Sequence, residues 1–380
     1  MFSSICGRLC PAPCERACVF YEDKAPISIR ALERYAADFG QTKSAKSEPI
    51  SHSGKKVAVI GSGPAGLTAA GLLVQKGFPV TIFEALNDPG GVLRYGVGEF
   101  RLPKKVLDVE IAWLKSLGVV FTNNFLVGAS AGLEEIMKSG YSALFLATGA
   151  GAAKFLDIPG THLGGVSYAN EFLLRVNILK AGDPKSAAPL NMGQRVAVIG
   201  SGYAALDVAR NARRLGAEVT VVLRHSEDDM GVRMEEKEYT KEEGIKLEAL
   251  TKPLAILSND QHFVRGLQCI RLDFADPKNT GEWQLLEVPS SEFVLEADTV
   301  IIAIGGKPHS VFFKNIPNLK INPDQTIWTN AADGMTSIPG IFAGGSITSG
   351  ERSEGTEGTI VEAMAAGKKA AQAIERYLKK

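Results

Sequence analysis

Apolar residues in this chain gather into short runs that end in glycine, and one such run occurs twice. Val-Ala-Val-Ile-Gly-Ser-Gly occupies residues 57–63 and again residues 196–202. The likeness continues without a gap: Ala65, Leu67, Ala70, Gly77, Val80 and Thr81 recur as Ala204, Leu206, Ala209, Gly216, Val219 and Thr220. Residues 57–60 and 196–199 are rich in β-branched side chains, as expected of strands buried on both faces. Helical spacing over 67–76, stopped by Gly77, predicts a helix, and 79–83 a second strand. In the second copy that strand covers 218–223. Apolar runs at 143–147, 299–304 and 340–343 predict three more strands. They stop at Thr148 and Gly149, at Gly305 and Gly306, and at Gly344, Gly345 and Ser346. Residues 27–39 and 359–378 read as helices, the second rich in alanine.

The glycines give each copy its chemistry. Gly61, Gly63 and Gly66 form G-x-G-x-x-G directly after a strand. The first permits the tight turn, the second lets the backbone approach a pyrophosphate, and the third lets the helix pack close to the sheet. The amides that open the helix face the phosphates. The second strand ends in Glu84, where a carboxylate would accept ribose hydroxyls. The second copy has Gly200, Gly202 and, in place of the third glycine, Ala205. Its second strand ends in Arg224 and His225, and a guanidinium there suits a 2′-phosphate. A glycine turn alone also occurs for packing. Here strand, turn, helix, second strand and closing residue agree in both copies, which points to two nucleotide sites. The first suits FAD or NAD and the second NADP(H).

Composition narrows the partners. Lys+Arg and Asp+Glu balance at 42 each, so no basic face for nucleic acid is implied. No apolar run approaches the roughly 18 residues of a membrane span, and no secretory signal is evident, so a cytoplasmic protein is expected. Four of the five cysteines crowd into the first eighteen residues, as Cys6, Cys10, Cys14 and Cys18. Pro11 and Pro13 interrupt them, so they do not share one helical face. A disulfide framework fits poorly with a nucleotide-binding chain of this length, and structural zinc more often uses separated knuckles. A [4Fe–4S] cluster, which needs soft thiolates on a compact loop, is the favoured reading. Cys269 stands alone in an apolar, strand-like stretch and reads as a buried thiol.

These segments imply an α/β chain with two Rossmann-like domains and a short α-helical, cysteine-rich start. Residues 1–45 would form the iron–sulfur segment, followed by a polar linker over 40–54. Residues 55–152 and 305–380 would form a discontinuous FAD domain, with the NAD(P)H domain, 153–304, inserted between them.

The whole chain resembles the two-dinucleotide-domain flavoproteins, and within them the small subunit of NADPH-dependent glutamate synthase. The residues that carry the resemblance are the cysteine run over 6–18, Gly-Gly-Val-Leu-Arg-Tyr-Gly-Val-Gly-Glu-Phe-Arg-Leu-Pro-Lys over 90–104, and Pro-Gly-Ile-Phe-Ala-Gly-Gly over 339–345. The bifurcating transhydrogenase large subunit and the N-terminal part of dihydropyrimidine dehydrogenase are similar. The resemblance implies FAD on Gly61, Gly63, Pro64, Ala65, Gly66 and Glu84. Gly91, Leu93 and Arg94 would flank the flavin, with Thr148 and Gly149 near the FAD and Gly345 and Ser346 near the ribityl chain. The helix opening at Thr359 would point its positive end at the flavin. NADPH would lie on Gly200, Gly202, Tyr203, Ala204 and Ala205, with Arg224 and His225 at the 2′-phosphate. Cys6, Cys10, Cys14, Cys18 and Glu33 are the implied cluster ligands.

Three departures qualify this. The family's upstream cysteine group does not precede Cys6, so one cluster is expected, with a partner-donated ligand or no cluster as alternatives. The family's Gly-Gly-Asp is Gly-Gly-Ser346, a weaker acceptor for which the acidic loop 350–358 would compensate. One arginine stands where the family has two, so NAD(H) stays open beside NADP(H). Hydride transfer between nicotinamide and flavin needs alignment rather than a side-chain acid or base, so no catalytic residue is named. The implied role is an electron-transfer subunit linking NAD(P)H to other redox subunits of a complex. The alternatives are the glutamate synthase small subunit proper, a thioredoxin-reductase-like dithiol reductase, for which Cys269 lacks a partner, and a flavin scaffold without catalysis.

Overall fold

The computed structural model describes residues 2–21, 25–40, 54–275, 283–309, 316–348 and 358–380. The acidic loop over 350–357 and most of the 40–54 linker lie outside the described residues. The chain forms two compact units. The first comprises Met1–Tyr95, Glu99–Ala152 and Lys307–Lys380, the second Gly96–Gly98 and Ala153–Gly306.

In the first unit the strand Lys56–Ile60 is central because every residue after Lys56 is buried. It pairs in parallel with Val80–Phe83 on one side and Tyr141–Leu146 on the other. Val120–Thr122 and Ile341–Ala343 complete a five-stranded parallel sheet at its two edges. The glycine-opened helix Pro64–Gln75 starts three residues earlier than the spacing predicts, because Pro64 fits the first helical position. The long helix Ile360–Lys379 lies against it so closely that a Cβ on Gly367 would meet the Ala65 carbonyl oxygen at 2.2 Å. The N-terminal helix Ser3–Leu9 is seated on this unit by buried Phe2, Ile5 and Leu9. Ser4 Oγ donates to Glu110 Oε1 at 2.5 Å. The helix Ile29–Phe39 crosses it at Gly7, where a Cβ would meet Arg34 N at 2.5 Å.

The second unit repeats the arrangement. Arg195–Ile199 lies between Glu218–Val222 and Thr299–Ile302, with Lys246–Glu248 and Val166–Tyr168 outside them, all parallel. The strands Tyr141–Leu146 and Thr299–Ile302 therefore hold the same place in their sheets, each beside the strand that leads into a glycine turn. A four-stranded antiparallel sheet connects Lys246–Glu248 to Thr299–Ile302. Its strands are Thr251–Ser258, Val264–Ala275, Gln284–Glu287 and Phe293–Glu296. Cys269 is fully buried in the core between this sheet and the parallel one, with Ile256, Leu267 and Val300. Burial, with the Glu248 carboxylate nearby, pushes its thiol up to about 12. No helix among the described residues is long and apolar enough to cross a membrane.

Candidate functional site

The first glycine turn is built by backbone geometry that side chains forbid. Gly61 has φ 102°, and a Cβ there would meet the Ala147 carbonyl oxygen at 2.6 Å. A Cβ on Gly66 would meet the Gly61 carbonyl oxygen at 2.0 Å, so the third glycine lets helix and strand approach. A Cβ on Gly63, by contrast, would meet nothing within 4 Å. The space above the helix start is open. Gly63 is the N-cap of Pro64–Gln75, no side chain caps it, and no acid lies in its first turn. The opening amides are thus left for an anion.

Glu84 closes this turn from beneath. It is 6% exposed, its Oε2 accepts from Ser62 N at 2.9 Å and from Ser62 Oγ, and its Oε1 accepts from Leu86 N at 2.9 Å. A carboxylate offers about four lone-pair sites, so three donors leave one for a ribose hydroxyl. Ser62 Oγ in turn accepts from Gly90 N at 2.8 Å. This serine was not singled out from the sequence, since a small residue between two glycines carries no signal there. It ties Glu84 to the diagnostic 90–104 stretch.

That stretch folds onto the turn. Gly91 has φ 53°, and its Cβ would meet Gly63 Cα at 2.7 Å. Leu93 is fully buried. The Arg94 side chain is engaged: Nε donates to the Pro89 carbonyl at 2.6 Å and Nη2 pairs with Asp108 Oδ1 at 2.6 Å. Lys104 Nζ donates to the Leu93 and Leu102 carbonyls. Packing around the Tyr95 hydroxyl, with Glu84 nearby, pushes it up to about 12, so it stays protonated. Thr148 Cα would lie 3.1 Å from a Cβ on Gly61, and Gly149 has φ 70°. Gly345 sits over Ala65, its Cβ position 3.2 Å from the alanine's. A Cβ on Gly358 would lie 3.4 Å from Ser346 Oγ. Thr359 is the N-cap of Ile360–Lys379, and its Oγ1 accepts from Glu362 N at 3.2 Å. Glu362 returns the bond, accepting from Thr359 N at 2.6 Å. This capping box puts a carboxylate in the turn expected to face the flavin, which offsets part of the helix's positive end.

The second turn has the same frame. Gly200 has φ 147°, and its Cβ would meet the Ala303 carbonyl oxygen at 2.3 Å. Gly202 is the uncapped N-cap of Tyr203–Arg214, again with no acid in the first turn. Ala205 is fully buried, doing with one methyl what Gly66 does with none, and Ala204 is half-buried. Arg224 and His225 are exposed just past the strand Glu218–Val222. Beneath Tyr203 lies a charged network absent from the sequence reading. Arg233 N donates to Tyr203 Oη at 3.2 Å, and the Arg233 side chain pairs with Glu236 at 2.9 Å. Glu236 also holds Arg210 at 3.0 Å, which pairs with Glu243 at 2.8 Å.

The cysteines do not assemble to the same degree. Among the described residues no three His, Cys, Asp or Glu side chains come together as a metal-holding group. Cys10 is the best prepared. Ala12, held at φ 53°, turns its N–H onto Cys10 Sγ at 3.3 Å, the kind of donor that supports a ligand thiolate. Cys6 is half-buried and donates to Met364 Sδ at 3.5 Å. Burial, then Glu33 and Cys10, push its thiol up to about 11. Cys14 is exposed and Cys18 half-exposed. The donor chemistry, four thiols and a carboxylate on one segment, fits iron and sulfide, with Cys6 the hardest of the four to recruit.

Two mononucleotide-type sheets, each with an uncapped glycine turn, define a dinucleotide-dependent oxidoreductase fold. The chain belongs to the pyridine nucleotide-disulphide oxidoreductase family, whose sequence pattern matches residues 55–370. Residues 1–45 match the pattern of dihydropyrimidine dehydrogenase domain II, 4Fe-4S cluster. Membership carries its class, an NAD(P)H-dependent flavoprotein oxidoreductase, here with a 4Fe-4S-type segment. The chain is 34% identical over 404 residues to the NADP(+)-dependent formate dehydrogenase subunit beta of Moorella thermoacetica, covering 99% of this chain and 55% of the relative. It is 31% identical over 385 residues to the glutamate synthase [NADPH] small chain of Escherichia coli, covering 98% of this chain and 80% of the relative. The chain thus spans little more than half of the formate dehydrogenase subunit. Mycobacterium tuberculosis FprA, solved in complex with NADPH, shares the fold with a TM-score of 0.67 at 20% identity, over 86% of this chain and 85% of FprA.

Proposed function

We propose that this chain is an electron-transfer subunit that holds FAD on its first unit, exchanges NADP(H) on its second, and passes electrons to or from a partner chain through iron–sulfur on its N-terminal segment. The observation that carries the reading is the pair of uncapped glycine turns closed by residues of opposite charge, Glu84 and Arg224. FAD supplies the chemistry when bound, taking two electrons as hydride and releasing them singly.

The chain's own residues bind and orient. The opening amides of Pro64–Gln75 receive the pyrophosphate over Gly63, and Glu84, fixed by Ser62, takes the adenosine ribose. Gly91, Leu93, Thr148, Gly149, Gly345 and Ser346 border the flavin, while Arg94 acts through its bridge to Asp108 by holding the 90–104 stretch. Gly200, Gly202, Tyr203, Ala204 and Ala205 receive the second pyrophosphate, and Arg224 with His225 the 2′-phosphate. Cys10, Cys14 and Cys18, with Cys6 and Glu33, hold the cluster. The subunit names of the relatives support a partner chain that carries the substrate chemistry. The lone, buried Cys269 speaks against a dithiol reductase.

Anaerobic addition of NADPH to the purified chain tests this. Bleaching of the flavin band, followed by an iron–sulfur electron-spin signal, is the expected result. A flavin that stays oxidised under excess NADPH would overturn the reading.

A further inference from the structure

The helix Ile29–Phe39 is turned inside out. None of its eleven residues is buried. Its half-buried positions are Arg30, Glu33 and Ala37, so the polar face points inward. There Arg30 N donates to Glu15 Oε1 at 2.8 Å, and the Arg8 guanidinium grips Asp38 through two bonds of 2.9 Å. The outward face carries Ile29, Leu32, Tyr35 and Phe39, which are 40%, 60%, 64% and 68% exposed. Their spacing makes one stripe along the helix, and the Tyr35 and Phe39 ring centroids lie 4.7 Å apart with the planes tilted by 36°. Val19, Phe20, Tyr21 and Ile27, just before the helix in the chain, are exposed as well. Single exposed apolar residues are ordinary, whereas a contiguous stripe marks a contact surface.

We propose that this outward face is the docking surface for a redox subunit that exchanges electrons with the N-terminal segment, seated as a permanent partner through an apolar, uncharged patch of its own. The inference rests on the electron-transfer reading above. Three observations select this occupant. The stripe holds no charge, and the charges beside it, Arg8, Arg34 and Asp38, are already paired with one another. A transient carrier is steered by unpaired rim charges, and among the described residues the stripe itself carries none. Covering the eight apolar side chains would remove on the order of 800 Å² from water, about what one side of a stable subunit interface buries. The position is the third. The inward face of the same helix sets the Arg34 backbone on Gly7, next to Cys6 in the chain, and donates from Arg30 N to Glu15, next to Cys14. A chain seated on the stripe therefore lies about one helix diameter, roughly 10 Å, from the cysteine segment.

The test compares the tagged full chain, isolated anaerobically from its own cells, with its Leu32→Glu/Phe39→Glu variant. Both side chains are exposed, so folding is spared, and iron content and the thermal transition verify this. NADPH-driven ferricyanide reduction, which needs only the flavin, should be unchanged. The wild type should bring down one partner in equal amount whose iron or flavin centre NADPH reduces, and the variant should lose at least tenfold of both. Leu32→Ala/Phe39→Ala, which adds no charge, should lose part. A variant that keeps its partner and its rate overturns the proposal. So does a wild type that is a homodimer dissolved by the substitutions, since a second copy is then the occupant. A partner that leaves with the substitutions but holds no redox centre overturns this choice of occupant, whereas a flavin that NADPH does not bleach overturns the electron-transfer reading.

Discussion

The two copies of Val-Ala-Val-Ile-Gly-Ser-Gly fold alike and end differently. Each puts a positive-φ glycine under a carbonyl oxygen, opens a helix with an uncapped glycine and pairs its strand with two parallel neighbours. Past the second strand they part. Glu84 is buried and already holds three donors, while Arg224 stands exposed. A site whose polar groups are fixed before the ligand arrives loses little on binding and suits a resident group. A site closed by a long exposed side chain orders it on each arrival, which suits a ligand that comes and goes. The difference between the copies is therefore one of preorganisation as well as of charge.

The sharpest way to break the symmetry is at the first glycine of each copy. Gly61→Ala places a methyl against the Ala147 carbonyl at a φ that side chains avoid. Strain of a few kcal/mol should weaken FAD binding by roughly 10²-fold, read as flavin content after desalting. Gly200→Ala should leave the flavin in place and weaken NADPH by a similar factor. Next in size is Arg224→Ala. Loss of a charge-assisted contact of about 2 kcal/mol should raise KM for NADPH by roughly 30-fold and leave kcat with NADH unchanged. If NADPH and NADH suffer equally, Arg224 does not read the 2′-phosphate.

Smaller effects test the preorganisation. Ser62→Ala removes one donor to Glu84 and the acceptor for Gly90 N, and should weaken FAD by about 1–2 kcal/mol, measured by fluorescence titration. The second copy has Ser201 at the equivalent place, and Ser201→Ala should change NADPH affinity less. The same contrast of prepared and unprepared groups recurs in the cysteine segment. Cys10→Ser should lose most of the bound iron, while Cys6→Ser, which gives up a thiol already bonded to Met364, should lose less.

Much of the frame was legible because its signals are local. Glycine spacing fixed both turns, and the strands of both parallel sheets that carry the repeat appear within two residues of their predicted limits. Of the antiparallel strands, Val264–Ala275 was legible only as a strand-like stretch around Cys269, and Thr251–Ser258 was not legible. Buried, half-buried and exposed residues follow one another along them in no strict alternation, so neither a period of two nor a continuous apolar run stands out. The amphipathic pattern of Ile29–Phe39 was visible, but a pattern does not say which face turns inward. Pairing of Arg8 with Asp38 decided that. The Ser62 bond to Glu84, the Arg210–Glu236 pair and the Met364 contact of Cys6 join residues far apart in the chain, and no local spacing announces them.

The asymmetry itself is tested most directly by cofactor retention. The purified chain, incubated with excess FAD and NADP⁺ and then passed through a desalting column, should keep FAD in equal amount with protein and release the NADP⁺. Equal retention of both nucleotides, or loss of both, would contradict a resident site closed by Glu84 and an exchanging one closed by Arg224.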